Sequence, residues 1–319
     1  LELKLHGADK ADRLLAFLQD NATSVVVRAA VDGLVAQRKG RVDEAIAGYE
    51  KSLAADPDQP RLQKFLFDDD IQAGRLADAR AIAEWTEQKV AEGNAALRSD
   101  AAEMWTALNE PDRAMDAWQL LHLSAPAVPY YAIEEAAAHF ALCEPDEAIE
   151  ILEEQIAAAP ASQAFELLSE IDLALGRYDQ AAETAKAGIA QAPSPGLHRI
   201  FAEAAEITGK ITPESLASAQ TLVESDPGHV QGNLLVARQL QSLGRTDEAI
   251  DFQEKLLQRN PDLFSALVAL KNAASAKREF SKALNYSKTI VAERPWDVES
   301  TLRHAIALSE AEHVRESLQ

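Results

Sequence analysis

Apolar residues recur along this chain at the three- and four-residue spacing of amphipathic helices, and the clusters themselves recur. The stretch from Gly40 to Pro57 reads G-R-V-D-E-A-I-A-G-Y-E-K-S-L-A-A-D-P, with altered copies from Gly176 to Pro193 and from Gly244 to Pro261. One small residue can be followed through the chain as Ala45, Ala79, Ala114, Ala148, Ala181, Ser215, Ala249 and Ala283, at spacings of 34, 35, 34, 33, 34, 34 and 34. A proline closes most units, at Pro57, Pro126, Pro160, Pro193, Pro227, Pro261 and Pro295, where a fixed φ and a missing N–H stop a helix. The second unit closes instead on Glu92, Gly93 and Asn94. Inside each unit a short break such as Gly40-Arg41, Gly74-Arg75, Glu110-Pro111, Glu144-Pro145 or Gly244-Arg245 separates two amphipathic segments of about 12–15 residues. The pattern therefore predicts eight helix hairpins.

The ends follow the same register. Leu1–His6 alternates apolar and polar residues but is too short to assign, and Leu14, Leu15, Phe17 and Leu18 mark a capping helix over Ala8–Asp20. Ala11 stands 34 residues before Ala45, so this helix reads as half a repeat. After Pro295 a first helix is expected from Asp297 to Ser309, with Val314 and Ser317 at the apolar and small positions of a second helix in which the sequence stops. The expected organisation is residues 1–25 as N-terminal segment and capping helix, 26–296 as eight repeats, and 297–319 as a C-terminal helix and the start of a further repeat.

A 34-residue helix-turn-helix with small residues at fixed places and a terminal proline resembles the tetratricopeptide repeat (TPR). The resemblance spans residues 8–319 and has departures. Ala29, Gln63, Ala132, Phe165 and Asn233 stand where the family has a first-helix tryptophan. The small residue where the two helices cross is kept as Gly33, Ala102, Ala136 and Ala237 but becomes Phe67 and Lys271 in the second and eighth units, where altered packing is expected. Tyr49, Trp118, Leu152, Tyr178 and Phe280 are expected to fill the seam.

The resemblance implies an all-α, right-handed superhelical solenoid that is non-catalytic and binds a protein or peptide partner. In that family the first helices line a concave groove. Carried over by register, the inward positions here are Arg61, Lys64 and Asp68; Asp100 and Glu103; Tyr130 and Ile133; Glu166 and Glu170; Arg199, Glu203 and Glu206; and Leu234 with Arg238. The middle of that set is acidic, which predicts a segment with Lys or Arg and an apolar anchor near Tyr130, Ile133 and Phe140. The alternative is that these charges are ordinary solvated helix faces. The family's carboxylate clamp for chaperone tails needs Lys and Asn, then Lys and Arg; here Lys64 is followed by Asp68, Asp100 and Glu103, which disfavours an acidic tail. A second reading, motivated by the open register at both ends, is the periplasmic TPR region of a larger bacterial envelope export or assembly machine.

Composition narrows the partner further. The chain has 319 residues, 47% hydrophobic and 26% charged, with a formal net charge of −21. That charge opposes a phosphate backbone, so nucleic acid is not expected. No stretch reaches the ~18 uncharged apolar residues of a membrane span. Cys143, the one cysteine, cannot form an internal disulfide and leaves the compartment open, bacterial cytoplasm or periplasm. Oligomeric state is not set by these features.

Candidate chemistry is sparse. The seven histidines show no H-E-x-x-H or H-x₃₋₅-H spacing, and there is no P-loop, dinucleotide fingerprint or nucleophile elbow, so neither metal nor cofactor is expected. His139 and Cys143, four apart on a helix, could pair an imidazole with a thiolate, against the simpler reading of a seam histidine and a turn cysteine. Asp68-Asp69-Asp70 lacks the pattern of a calcium loop and reads as a solvated face. Asn21-Ala22-Thr23 and Asn285-Tyr286-Ser287 match the glycosylation sequon, a frequent chance occurrence.

Overall fold

The computed structural model describes residues 24–226, 230–259 and 263–317, with five positions between 13 and 19. The capping helix, Pro227 and Pro261 fall wholly or largely outside these residues. Among the described residues the elements are all helical, and they pair in sequence. The hairpins are α1 (Val25–Arg38) with α2 (Val42–Ala55), α3 (Pro60–Gln72) with α4 (Leu76–Ala91), α5 (Arg98–Ala107) with α6 (Pro111–Ser124), and α7 (Pro129–Ala141) with α8 (Pro145–Ala158). They continue as α9 (Ser162–Ala174) with α10 (Tyr178–Gln191), α11 (Pro195–Thr208) with α12 (Pro213–Ser225), α13 (Val230–Ser242) with α14 (Thr246–Arg259), and α15 (Phe264–Ala276) with α16 (Phe280–Glu293). A single helix α17 (Val298–Ser317) follows. The architecture is an all-α solenoid of hairpins, divided within α8 into two units, Leu1–Gln155 and Ile156–Gln319.

Each hairpin turns through one residue in the left-handed region: Gly40, Gly74, Asn109, Cys143, Gly176, Gly209, Gly244 and Arg278, with φ between 58° and 74°. Seven of these turns close with an N–H to carbonyl bond from the residue after it to the fifth residue before, as in Arg41 to Ala36 at 3.0 Å and Glu144 to His139 at 2.9 Å. The exception is Gly209, whose turn is one residue longer and ends on a capping box of Thr212 and Ser215. Glycine adopts this conformation without the steric cost that a Cβ brings. Cys143→Gly should therefore raise stability by about 1 kcal/mol in a urea melt; a loss would mean that the thiol makes a contact that matters.

The recurring small residue lies at the helix crossing. Ala45, Ala79, Ala114, Ala148, Ala181, Ser215 and Ala249 are 0% exposed and Ala283 is 1% exposed, so one register holds through all eight hairpins. Four residues further on, Tyr49, Trp118 and Leu152 are fully buried in hairpins one, three and four, where they fill the seam. In hairpin two the volumes are exchanged: Phe67 is buried on the first helix and the small Ala83 stands on the second. That exchange accommodates the large residue at the crossing. Hairpin eight carries Lys271 and Ser287 at these places, and both line a cavity of about 190 Å³.

Three expectations are corrected. Tyr178 is 38% exposed, because it is the first residue of α10 and lies outside the seam. The expected break after Ser309 is absent, and α17 runs unbroken from Val298 to Ser317. The Asp68-Asp69-Asp70 run is not a solvated face: Asp68 is exposed, but Asp69 and Asp70 are buried, since three consecutive helical residues span about 200° and cannot share one face. Asp69 accepts from the Gln37 side chain at 3.0 Å, and Gln37 in turn accepts from the Tyr49 hydroxyl at 3.1 Å. Oδ2 of Asp69 and Oδ1 of Asp70 are buried without a hydrogen-bond partner among the described residues.

Candidate protein-binding face

Successive first helices touch one another, α3 against α5 in the first unit and α9 against α11 against α13 in the second. First helices are thus neighbours within each unit, and several of the residues expected on their shared face meet.

In the first unit Lys64 of α3 reaches Asp68 at 3.3 Å and Glu103 of α5 at 3.5 Å. Tyr130 of α7 donates a long hydrogen bond to Glu103 at 3.5 Å, while its ring meets Trp118 edge-on at 5.6 Å. Ile133 is half-buried on the same helix, and Arg61 is exposed at the start of α3. Asp100 is held above the usual carboxylate range by burial first, then by the charge of Glu103, with Lys64 partly offsetting both. Glu134 is raised for the same two reasons, burial and then Glu103. The Tyr130 hydroxyl is pushed up to about 12 by burial, then by Glu134 and Glu103. Glu134 was not among the expected groove residues, although it lies four residues after Tyr130 and so on the same helical face.

The second unit carries its charge differently. Glu166 of α9 accepts from the Ser194 hydroxyl. Arg199 of α11 donates to Glu170 at 2.8 Å and to Glu203 at 2.9 Å. Arg238 of α13 grips Glu206 with two nitrogens, the longer bond at 3.0 Å. Bidentate and bridging guanidinium contacts satisfy carboxylates well, so three of these four already hold a cation. Leu234 and Arg238 then wall a cleft of about 500 Å³ against α15.

The histidine–cysteine pair is not assembled. Nδ1 of His139 lies 2.8 Å from Glu144, and Cys143 is exposed at the turn. Of the other histidines, His122 meets Glu135, His198 meets Ser218 and His304 meets Ser287. Among the described residues, no three His, Cys, Asp or Glu side chains group as metal ligands. No helix of the described residues is long and apolar enough to cross a membrane.

Family models described as tetratricopeptide repeat match residues 139–203 and 232–263. No curated protein matches the sequence. Among solved structures, the C-terminal part of a TPR repeat-containing protein from Cytophaga hutchinsonii superposes with a TM-score of 0.62 at 15% identity, over 77% of this chain and 99% of that one. YrrB, a TPR protein with an unusual peptide-binding site, gives 0.51 at 15% identity, over 61% of this chain and 98% of that one. The Cut9–Hcn1 hetero-tetramer of APC/C gives 0.44 at 15% identity, and there this chain spans 60% of its counterpart's length. The two matched stretches are tetratricopeptide repeats, and the hairpins outside them share their register, their buried crossing residue and their left-handed turn.

Proposed function

We propose that this chain, a repeat scaffold of the kind that mediates protein–protein interaction, uses the first-helix face of its first unit to bind a partner segment carrying Lys or Arg beside an apolar side chain. One observation carries the reading. Asp100 and Glu134 both sit partly desolvated beside the charge of Glu103, and each is pushed towards its neutral form as a result. An ammonium or guanidinium arriving there relieves that repulsion. Tyr130 and Ile133 border the same place and offer contact to the apolar neighbour. The second-unit carboxylates are the poorer choice, because a ligand cation would have to displace Arg199 or Arg238 from bonds already made. YrrB supports the reading at the level of fold, since that protein has a peptide-binding site. The net charge of −21 adds long-range attraction for a basic partner, which salt screens over a Debye length of ~10 Å at 0.1 M.

The test is fluorescence anisotropy with a labelled Gly-Lys-Leu-Lys-Gly peptide and the intact chain. Asp100→Asn combined with Glu134→Gln should weaken binding about tenfold and flatten its salt dependence. Equal affinity in that variant, or an equal loss from Glu170→Gln with Glu206→Gln, contradicts the assignment.

A further inference from the structure

The cleft between α13 and α15 has α14 as its floor, and one floor residue is out of character. The hairpin register places an apolar side chain four residues after the small crossing residue in hairpins one, three and four, as Tyr49, Trp118 and Leu152. In hairpin seven that place belongs to Gln253, which is 2% exposed and lines the cleft. Its Oε1 is buried and has no hydrogen-bond partner among the described residues. A buried amide oxygen left unmet is costly, and because Gln253 lines the cleft, a turn of its side chain into that space lets a donor from outside meet the oxygen.

The rest of the wall says which donor. Arg238 is engaged by Glu206, and the remaining surface is uncharged: Leu234, Gln241, Val268, Ala269 and Asn272. A charged side chain entering here loses its hydration and finds no available counter-charge, whereas a neutral amide finds an acceptor in Gln253 and further partners in Gln241 and Asn272. At about 500 Å³ the cleft is within the ~300–1,000 Å³ range of ligand sites. We infer that this cleft is a subsite for a neutral side-chain amide, an Asn or Gln of a partner segment, whose N–H donates to Oε1 of Gln253 once that side chain turns into the cleft, while the adjacent apolar side chain lies against Leu234, Val268 and Ala269. The inference rests on the scaffold reading but not on the acidic face, because every residue it uses belongs to the second unit.

The intact chain is observed by NMR through the Gln253 side-chain amide and the backbone amides of Val268 and Ala269. The probes are acetyl-Gly-Leu-Asn-Gly-amide and its counterparts with Asp or Leu in place of Asn. The Asn peptide should shift these signals with at least about tenfold higher affinity than the other two. Gln253→Met, which keeps the volume and removes the unmet oxygen, should abolish that preference and leave the melting midpoint unchanged or higher. Equal responses from the three peptides, or no response at about 10 mM, overturns the inference. A lower melting midpoint in Gln253→Met also overturns it, by making the amide a structural group. Retention of the Asn preference in the Asp100→Asn, Glu134→Gln variant separates this subsite from the acidic face.

Discussion

Gly48→Val should destabilise the first unit by about 3 kcal/mol or more, because α1 and α2 cross with backbone against backbone. A Cβ at Gly48 falls 2.7 Å from both Cα and N of Gly33 and 2.9 Å from the carbonyl oxygen of Ala29. None of these atoms is the end of a flexible side chain. Relief requires the helices to separate, and separation withdraws Tyr49, which is fully buried in the same seam. The control is Ala47→Val at an exposed neighbour on α2, where only helix propensity changes and roughly 0.5–0.7 kcal/mol is at stake. Trp85, Trp105 and Trp118 are three of the four tryptophans, so fluorescence in a urea melt reports chiefly on the first unit. A midpoint for Gly48→Val close to that of Ala47→Val would mean that the helices do not cross here.

Asp70→Asn should stabilise the first unit by about 2–3 kcal/mol at pH 7.5 and by almost nothing near pH 4. Burial first, then the charges of Asp78, Glu50 and Asp69, raise the Asp70 carboxyl from 3.8 to about 6, with Arg75 pulling the other way. The nearby Tyr49 hydroxyl is itself raised, by burial and then by Asp69. A carboxyl whose folded-state value lies above its unfolded one favours the fold when protonated. That contribution is complete below about 3.8 and is lost as pH rises through about 6. Asparagine keeps the shape and removes the charge, so the gap between variant and parent opens across that window. Parallel stability curves from pH 4 to 8, or a variant less stable at pH 7.5, would show that the Asp70 charge is compensated in the fold.

How much of this was legible in the sequence depends on which helix a residue occupies. The second helices are nearly identical in outline because each crosses its partner at a small side chain, and Ala45 through Ala283 are all buried where the spacing placed them. Those residues define the fold. The first helices vary, and the contacts among their charges were legible only through register: Lys64, Glu103 and Tyr130 do meet, as do Glu170, Arg199 and Glu203. Whether a carboxylate is already satisfied was not legible, since Arg199 reaches across 29 residues to Glu170 and Arg238 across 32 to Glu206. Glu134 escaped because a carboxylate raised by burial looks in sequence like any other. Asp69 and Asp70 were misread because a run of like charges suggests solvent, while helical geometry turns two of the three inward. Gln253 gave one signal, a long polar side chain at a position that is apolar in the first six hairpins.

If the first helices carry recognition and the second helices support them, binding must register on one side of the hairpins. Hydrogen exchange of the intact chain, measured with and without saturating Gly-Lys-Leu-Lys-Gly peptide, reads this directly. Slowed exchange in α5 and α7, with α4 and α6 unchanged, is the predicted result. Protection on α4 and α6, or confined to the Arg-bridged carboxylates of α9 and α11, would contradict the assignment of the acidic face.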